Sequence, residues 1–162
     1  MTQREGAYRD PGRKTPAAGA HTFLGQPNVF FVTANAKDRV PWIGQPLVQT
    51  TLVEIWREVA TAWLVGYYLL MPDHLHLFCA PRDLHFGIDS WIMFWESQFT
   101  KRHPDKLWAW QRRAFHHRMR DRIEYEDKLR YVQENPVRHN LVKGPEHWPL
   151  QGRVYDLVWT GD

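Results

Sequence analysis

The sequence predicts an α+β, ferredoxin-like fold: a split βαβ antiparallel sheet with helices on one face, plus one further helix at the C-terminal end. Three observations lead there. Runs at 28–34, 64–71 and 74–80 are short and rich in β-branched and aromatic residues, as strands are. Segments 47–63 and 88–103 place apolar residues at three- and four-residue spacing, as amphipathic helices do. Their order, completed by an extended stretch at 108–117 and a helix at 122–134, is β-α-β-β-α-β-α.

Each element has a local reason. NVFFVTA at 28–34 reads as a buried strand. Gly44, Gln45 and Pro46 punctuate the chain, and Leu52, Ile55, Trp56 and Val59 then mark the buried stripe of the first helix. LVGYYLLM at 64–71 is the second strand, and the Pro72-Asp73 turn leads into HLHLFCA at 74–80, which alternates. These two strands form a hairpin. The second helix is expected to set Trp91, Phe94, Trp95 and Phe99 on one side. Pro136 is expected to stop the third helix two residues after its end.

The 162 residues suit a single domain over 28–162, preceded by a flexible basic arm over 1–27 that is rich in Gly, Pro, Arg and Ala. Net charge is +3, but residues 101–143 hold twelve Lys/Arg against six Asp/Glu. That stretch is net +6, leaving −3 elsewhere, and a basic half on a near-neutral chain is a footprint for phosphate. Cys79 is the only cysteine, which excludes a disulfide framework and a cysteine zinc site and suits the cytoplasm. No apolar run is long enough for a membrane span, so no membrane partner is expected.

His74 and His76 carry the first chemical signal. Residues two apart on a strand project from the same face, so both imidazoles can share a metal ion while Leu75 points into the core. Two imidazoles leave coordination positions open, as a catalytic metal needs. With no cysteine nearby, oxygen ligands complete the set, which suits Mg²⁺ or Mn²⁺. Tyr131 and Asn135, four apart, fall on one face of the third helix. A tyrosine one turn from an amide oxygen free to point outward can be a nucleophile beside a metal ligand, or a core tyrosine and a helix cap.

The stretches MPDHLHLF (71–78) and YVQENPVRHNLV (131–142) resemble the HUH single-tyrosine transposases. Within that superfamily they are most similar to the REP-associated tyrosine transposases, relatives of the transposases of simple bacterial insertion sequences. WESQFTKR (95–102) resembles the second-helix segment of that group, and WQRRAFHHRMR (110–120) its connection from sheet to helix. The similarity runs from about residue 28 to 142. It implies that His74 and His76 bind the metal, that Tyr131 is the catalytic tyrosine of the Tyr-x-x-x-Asn-Pro motif, and that Asn135 is a third ligand. His116-His117 departs from an Asp-His pair frequent in relatives.

The implied activity is cleavage and rejoining of single-stranded DNA at hairpins through a 5′-phosphotyrosine intermediate, with Mg²⁺ or Mn²⁺, by a monomer or homodimer. Arg112, Arg113, Arg118 and Arg120, with the N-terminal arm, are expected to meet DNA. Three other readings stay open: a catalytically silent nucleic-acid-binding protein, a metal-dependent hydrolase with a structural tyrosine, and a domesticated hairpin-processing enzyme. Among the six tyrosines Tyr125 is the rival nucleophile, but it points about 120° away from Tyr131 around the shared helix.

Overall fold

The structure, a computed structural model, describes residues 28–83, 85–157 and 159. The proposed arm lies outside these residues. Five strands form one antiparallel sheet: β1 (Phe30–Asn35), β2 (Trp63–Leu70), β3 (His74–Pro81), β4 (Phe115–Arg118) and β5 (Gln151–Arg153). Their order is β4-β1-β3-β2-β5. Helices α1 (Pro46–Glu58) and α2 (Ile88–Arg102) connect β1 to β2 and β3 to β4. Helix α3 (Arg122–Gln133) and the short α4 (Asn135–Arg138) follow. The α+β, split βαβ reading holds, with β5 as an added edge strand that the sequence did not announce.

Register decides what each face presents. Opposite partners in antiparallel pairs point the same way. Thr33 faces His76, Phe31 faces Phe78 and Asn35 faces His74, so these side chains share one face. Val32 with Leu77 and Ala34 with Leu75 share the other. That second face packs on α1 and α2 through a tryptophan-rich core. Trp63 meets Phe30 edge-on at 5.5 Å and stacks on Trp91 at 5.9 Å, and Trp56 meets Trp95 at 5.5 Å. Each such ring buries a large apolar area, and truncating one to Ala costs about 3–5 kcal/mol.

Several sequence expectations shift. The two main helices do lie on one face, but the His-bearing face is covered too, because Tyr125 of α3 packs edge-on against Phe78 at 5.1 Å. All eight residues of β3 are therefore buried, despite their alternating polarity. Helix α1 ends at Glu58 rather than running to 63, because Trp63 is drawn into β2, opposite Pro81. Phe94 is exposed, not part of the buried stripe of Trp91, Trp95 and Phe99. Of 108–117, only the end joins a strand; Trp110 makes a single bridge to Ala36. Pro136 does not stop the chain's helical course. It occupies the first turn of α4, where a missing N–H costs nothing, and Arg138 N still donates to Glu134 O at 3.0 Å.

Candidate active site

The Pro72-Asp73 turn delivers His74 and His76 to β3 with their rings 4.8 Å apart and 76° inclined. Each ring is held by one nitrogen. His74 Nδ1–H donates to Asp73 Oδ1 at 2.8 Å, and Asp73 also accepts from Arg39 Nε at 2.9 Å. His76 Nδ1 bonds Thr33 Oγ1 at 2.9 Å across the β1–β3 pairing. With Nδ1 engaged, Nε2 of each ring is left for another partner. An oriented imidazole with its second nitrogen so bonded is the usual arrangement of a metal-ligating histidine.

Electrostatics agree. Burial lowers the His74 pKa below the ordinary histidine value, against the opposing pull of Asp73. Burial, helped by His74 and Lys128, takes His76 to about 3. Both rings are neutral at physiological pH, the form a metal requires. Burial pulls Asp73 upward, but its bonds to His74 and Arg39 outweigh that and hold it below the ordinary carboxylate range.

Asn135 is placed differently from the expectation. Its side chain is only 6% exposed, and Oδ1 is shut off from solvent with no hydrogen-bond partner. It does not point outward from a helix end. A buried carbonyl oxygen without a partner costs about 1–3 kcal/mol, so its retention fits an oxygen ligand better than a cap. Among the described residues no group of three or more His, Cys, Asp or Glu could hold a metal. The histidine pair therefore needs an oxygen of this kind, or of substrate, to complete a coordination sphere.

Tyr131 lies on α3 and is 51% exposed, whereas Tyr125 is 7% exposed and packed between Phe78 and Trp159. Of the two, Tyr131 is the one open to solvent. Arg138 of α4 stacks its guanidinium 3.9 Å from the Tyr131 ring centroid and donates to the Tyr131 carbonyl, fixing the ring's backbone and one face. Lys128, one turn earlier, sets its ammonium 5.2 Å from the Tyr131 centroid and 5.2 Å from that of Phe31. Phe31 in turn stacks on His76 at 5.3 Å. A continuous chain of contacts, His76–Phe31–Lys128–Tyr131, thus joins the histidine pair to the tyrosine.

The basic residues divide. Arg112 and Arg113 are exposed and lie on the loop before β4. Arg118 is half-buried in β4. Arg120 is exposed but paired with Glu124 at 3.1 Å, and Glu124 also accepts from His117 at 3.2 Å. His116 points to the opposite face, bonded to Asp89 of α2 at 2.9 Å. The two neighbouring histidines therefore do different work, tying β4 to α3 and to α2.

Asp73, Thr33, Phe31, Lys128 and Arg138 were not singled out from sequence. Asp73 had a signal, being next to His74 in the turn. Thr33 and Phe31 meet His76 only through strand register.

Fold and site together define an α+β protein with a buried histidine pair on the central strand of its sheet, facing a helix that exposes one tyrosine. The chain is similar to REP-associated tyrosine transposases. It is 28% identical to that of Escherichia coli strain K12, over 82% of this chain and 85% of the relative. A Haemophilus influenzae protein named provisionally for the same group is 26% identical over 57% of this chain, and the match spans 64% of that relative's length. A solved REP-associated tyrosine transposase bound to a REP hairpin superposes with a TM-score of 0.67 at 20% identity, covering 93% of this chain and 91% of the other. No family model matches. The resemblance carried by the two motifs is borne out.

Proposed function

We propose that this chain cleaves and rejoins single-stranded DNA next to hairpins, with Tyr131 as nucleophile. The exposure of Tyr131 on the same side of the sheet as the histidine pair, with Lys128 between them, carries this reading. The Escherichia coli relative, named a REP-associated tyrosine transposase, and the hairpin-bound structure support it.

His74, His76 and Asn135 are the residues that would hold a divalent ion, Mg²⁺ or Mn²⁺. Such an ion supplies Lewis-acid polarisation of a phosphate. Asp73 and Thr33 hold the imidazoles with Nε2 free. Arg138 fixes Tyr131, and Lys128 places positive charge where negative charge gathers on a phosphate between the tyrosine and the histidines. The Tyr131 oxygen attacks phosphorus, a P–O bond forms, and the bond to the 3′-oxygen breaks. The tyrosine proton goes to solvent, and the departing strand takes up a proton to end as a 3′-hydroxyl. The phosphotyrosine conserves the bond, so a 3′-hydroxyl can later attack it and restore DNA without ATP.

The test is covalent capture. A labelled hairpin strand incubated with protein and Mn²⁺ should give a denaturant-resistant band, with peptide mapping placing DNA on Tyr131. Tyr131→Phe should bind the hairpin with unchanged affinity and give neither band nor cleavage. Cleavage without an adduct would instead support a hydrolase, and an adduct on Tyr125 would reject the assignment.

A further inference from the structure

The two histidines of β3 are held by unequal devices. His76 Nδ1 meets the Thr33 hydroxyl at 2.9 Å, and the β1–β3 register fixes that hydroxyl in place. His74 Nδ1 depends instead on Asp73, a residue of the turn before the strand. The two oxygens of this carboxylate divide their bonds: Oδ1 accepts from His74 Nδ1–H at 2.8 Å and Oδ2 from Arg39 Nε at 2.9 Å. A second arm of the same guanidinium, Nη1, donates to Asn35 Oδ1 at 3.0 Å. Asn35 is the register partner of His74 across β1 and β3. Arg39 thus grips both the residue before His74 and the residue opposite it.

The chain brings Arg39 there through a turn of unusual shape. It leaves β1 by Lys37–Arg39, where Asp38 and Arg39 hold left-handed backbones, φ 56° and 57°. Non-glycine residues persist in that region where surrounding contacts hold them, and such strain clusters at functional sites. Ala36 N donates to Asp73 O at 2.9 Å and Lys37 N to Ala109 O at 2.8 Å, pinning this turn against the one that carries His74. Fold stability does not account for the arrangement. The Arg39 and Asp73 side chains are 55% and 28% exposed, and an ion pair so open to water adds little to folding. What it does fix is the direction of Asp73, because a carboxylate bonded at both oxygens cannot turn without breaking a bond.

We propose that Arg39 is a positioning residue for His74: through Asp73 it keeps the ring proton on Nδ1 and leaves Nε2 unprotonated toward a divalent cation. A carboxylate only accepts, so the nitrogen that bonds it carries the proton and the other presents its lone pair. An Asp73 released to solvent lets the ring take the tautomer with its proton on Nε2, which has no lone pair to offer a metal. His76 has no share in this device, so Arg39 acts on one ring of the pair. The inference rests on the proposed function only for the ligand, a divalent ion.

Two measurements on the full chain without DNA test it. Ring ¹⁵N shifts of the metal-free protein report the tautomer of each histidine, and calorimetry reports Mn²⁺ affinity. In the parent, His74 should carry its proton on Nδ1. Arg39→Met should move part of the His74 population to the Nε2–H form and leave His76 unchanged. It should weaken Mn²⁺ binding by about ten-fold or more, the scale of losing an outer partner of a metal ligand, while thermal unfolding stays close to the parent. In an Asp73→Ala background the same Arg39→Met change should add nothing to the loss of Mn²⁺ affinity, because Arg39 acts through Asp73. An unchanged His74 tautomer, undiminished Mn²⁺ binding, additive losses in the double variant, or a His76 shift as large as that of His74 would overturn the proposal. So would a variant whose only defect is weaker hairpin binding in EDTA, which would make Arg39 a plain phosphate contact. A His74 tautomer that shifts on loss of Arg39 in a chain that binds no Mn²⁺ would reject the proposed metal and leave the positioning role standing.

Discussion

Replacing Glu96 by glutamine isolates one buried carboxyl, and the structure fixes both sign and scale of the effect. Glu96 sits on α2, half-buried, with Oε2 cut off from solvent and unpartnered. Burial raises its pKa from 4.5 to about 8. Below pH 4.5 the carboxyl is protonated in both folded and unfolded chains and contributes no pH dependence. Between 4.5 and 8 the unfolded chain gives up the proton and the folded chain keeps it. Folding then holds more protons than unfolding, so stability falls as pH rises. Above 8 the penalty is complete. Its ceiling is roughly 5 kcal/mol for a shift of this size, and water reaching the half-buried side chain brings the practical figure to about 2–4 kcal/mol. Glutamine keeps the shape and carries no charge. Urea unfolding at pH 5 should therefore separate Glu96→Gln from the parent by little. At pH 9 the variant should be the more stable by about 2–4 kcal/mol, with unchanged m-value. A stability difference that is flat from pH 5 to 9, or a variant less stable at pH 9, would refute the argument.

Three more expectations follow from the candidate active site. Loss of both imidazoles in His74→Ala/His76→Ala, or chelation by EDTA, should abolish hairpin cleavage, and calorimetry should show no Mn²⁺ binding by the double variant; full cleavage in EDTA would remove the metal from the scheme. Lys128→Met should slow adduct formation by about 10²-fold, the scale of losing one charge aimed at the reacting phosphate, while hairpin affinity stays within about two-fold and Lys128→Arg recovers most of the rate. Equal falls in rate and affinity would make Lys128 a plain phosphate contact. Gly44→Ala would place a Cβ 2.9 Å from the Pro72 Cα, a backbone atom of the turn that carries His74. It should cost about 1–3 kcal/mol by thermal unfolding and weaken Mn²⁺ binding, and a variant that melts like the parent would show that the turn yields freely.

What the sequence determined by itself were the elements and the candidate site residues. Period-two and period-3.6 patterns are local, so the β2–β3 hairpin, α1, α2 and α3 were legible, and the spacing His-x-His on a strand already put both imidazoles on one face. The fixed 120° between Tyr125 and Tyr131 on one helix already required that only one could face the histidine pair. Tertiary structure decided which groups meet. That α3 covers the His-bearing face follows from Tyr125 packing on Phe78, a contact between residues distant in sequence, and it turns an alternating strand into a fully buried one. Burial then makes both histidines neutral, and only strand register brings Thr33 to His76. Helix α1 could not be read to its end, because Trp63 fits a helical period but gains more from pairing opposite Pro81 and packing on Phe30 and Trp91. Asn135 looked like an outward oxygen at a helix end because the sequence shows only a proline after it. The proline opens a second helical turn instead, and the amide is buried without a partner. Local spacing sets which way a side chain leaves the backbone; the solvent, charge and partner it finds there depend on residues that the chain brings back from far away.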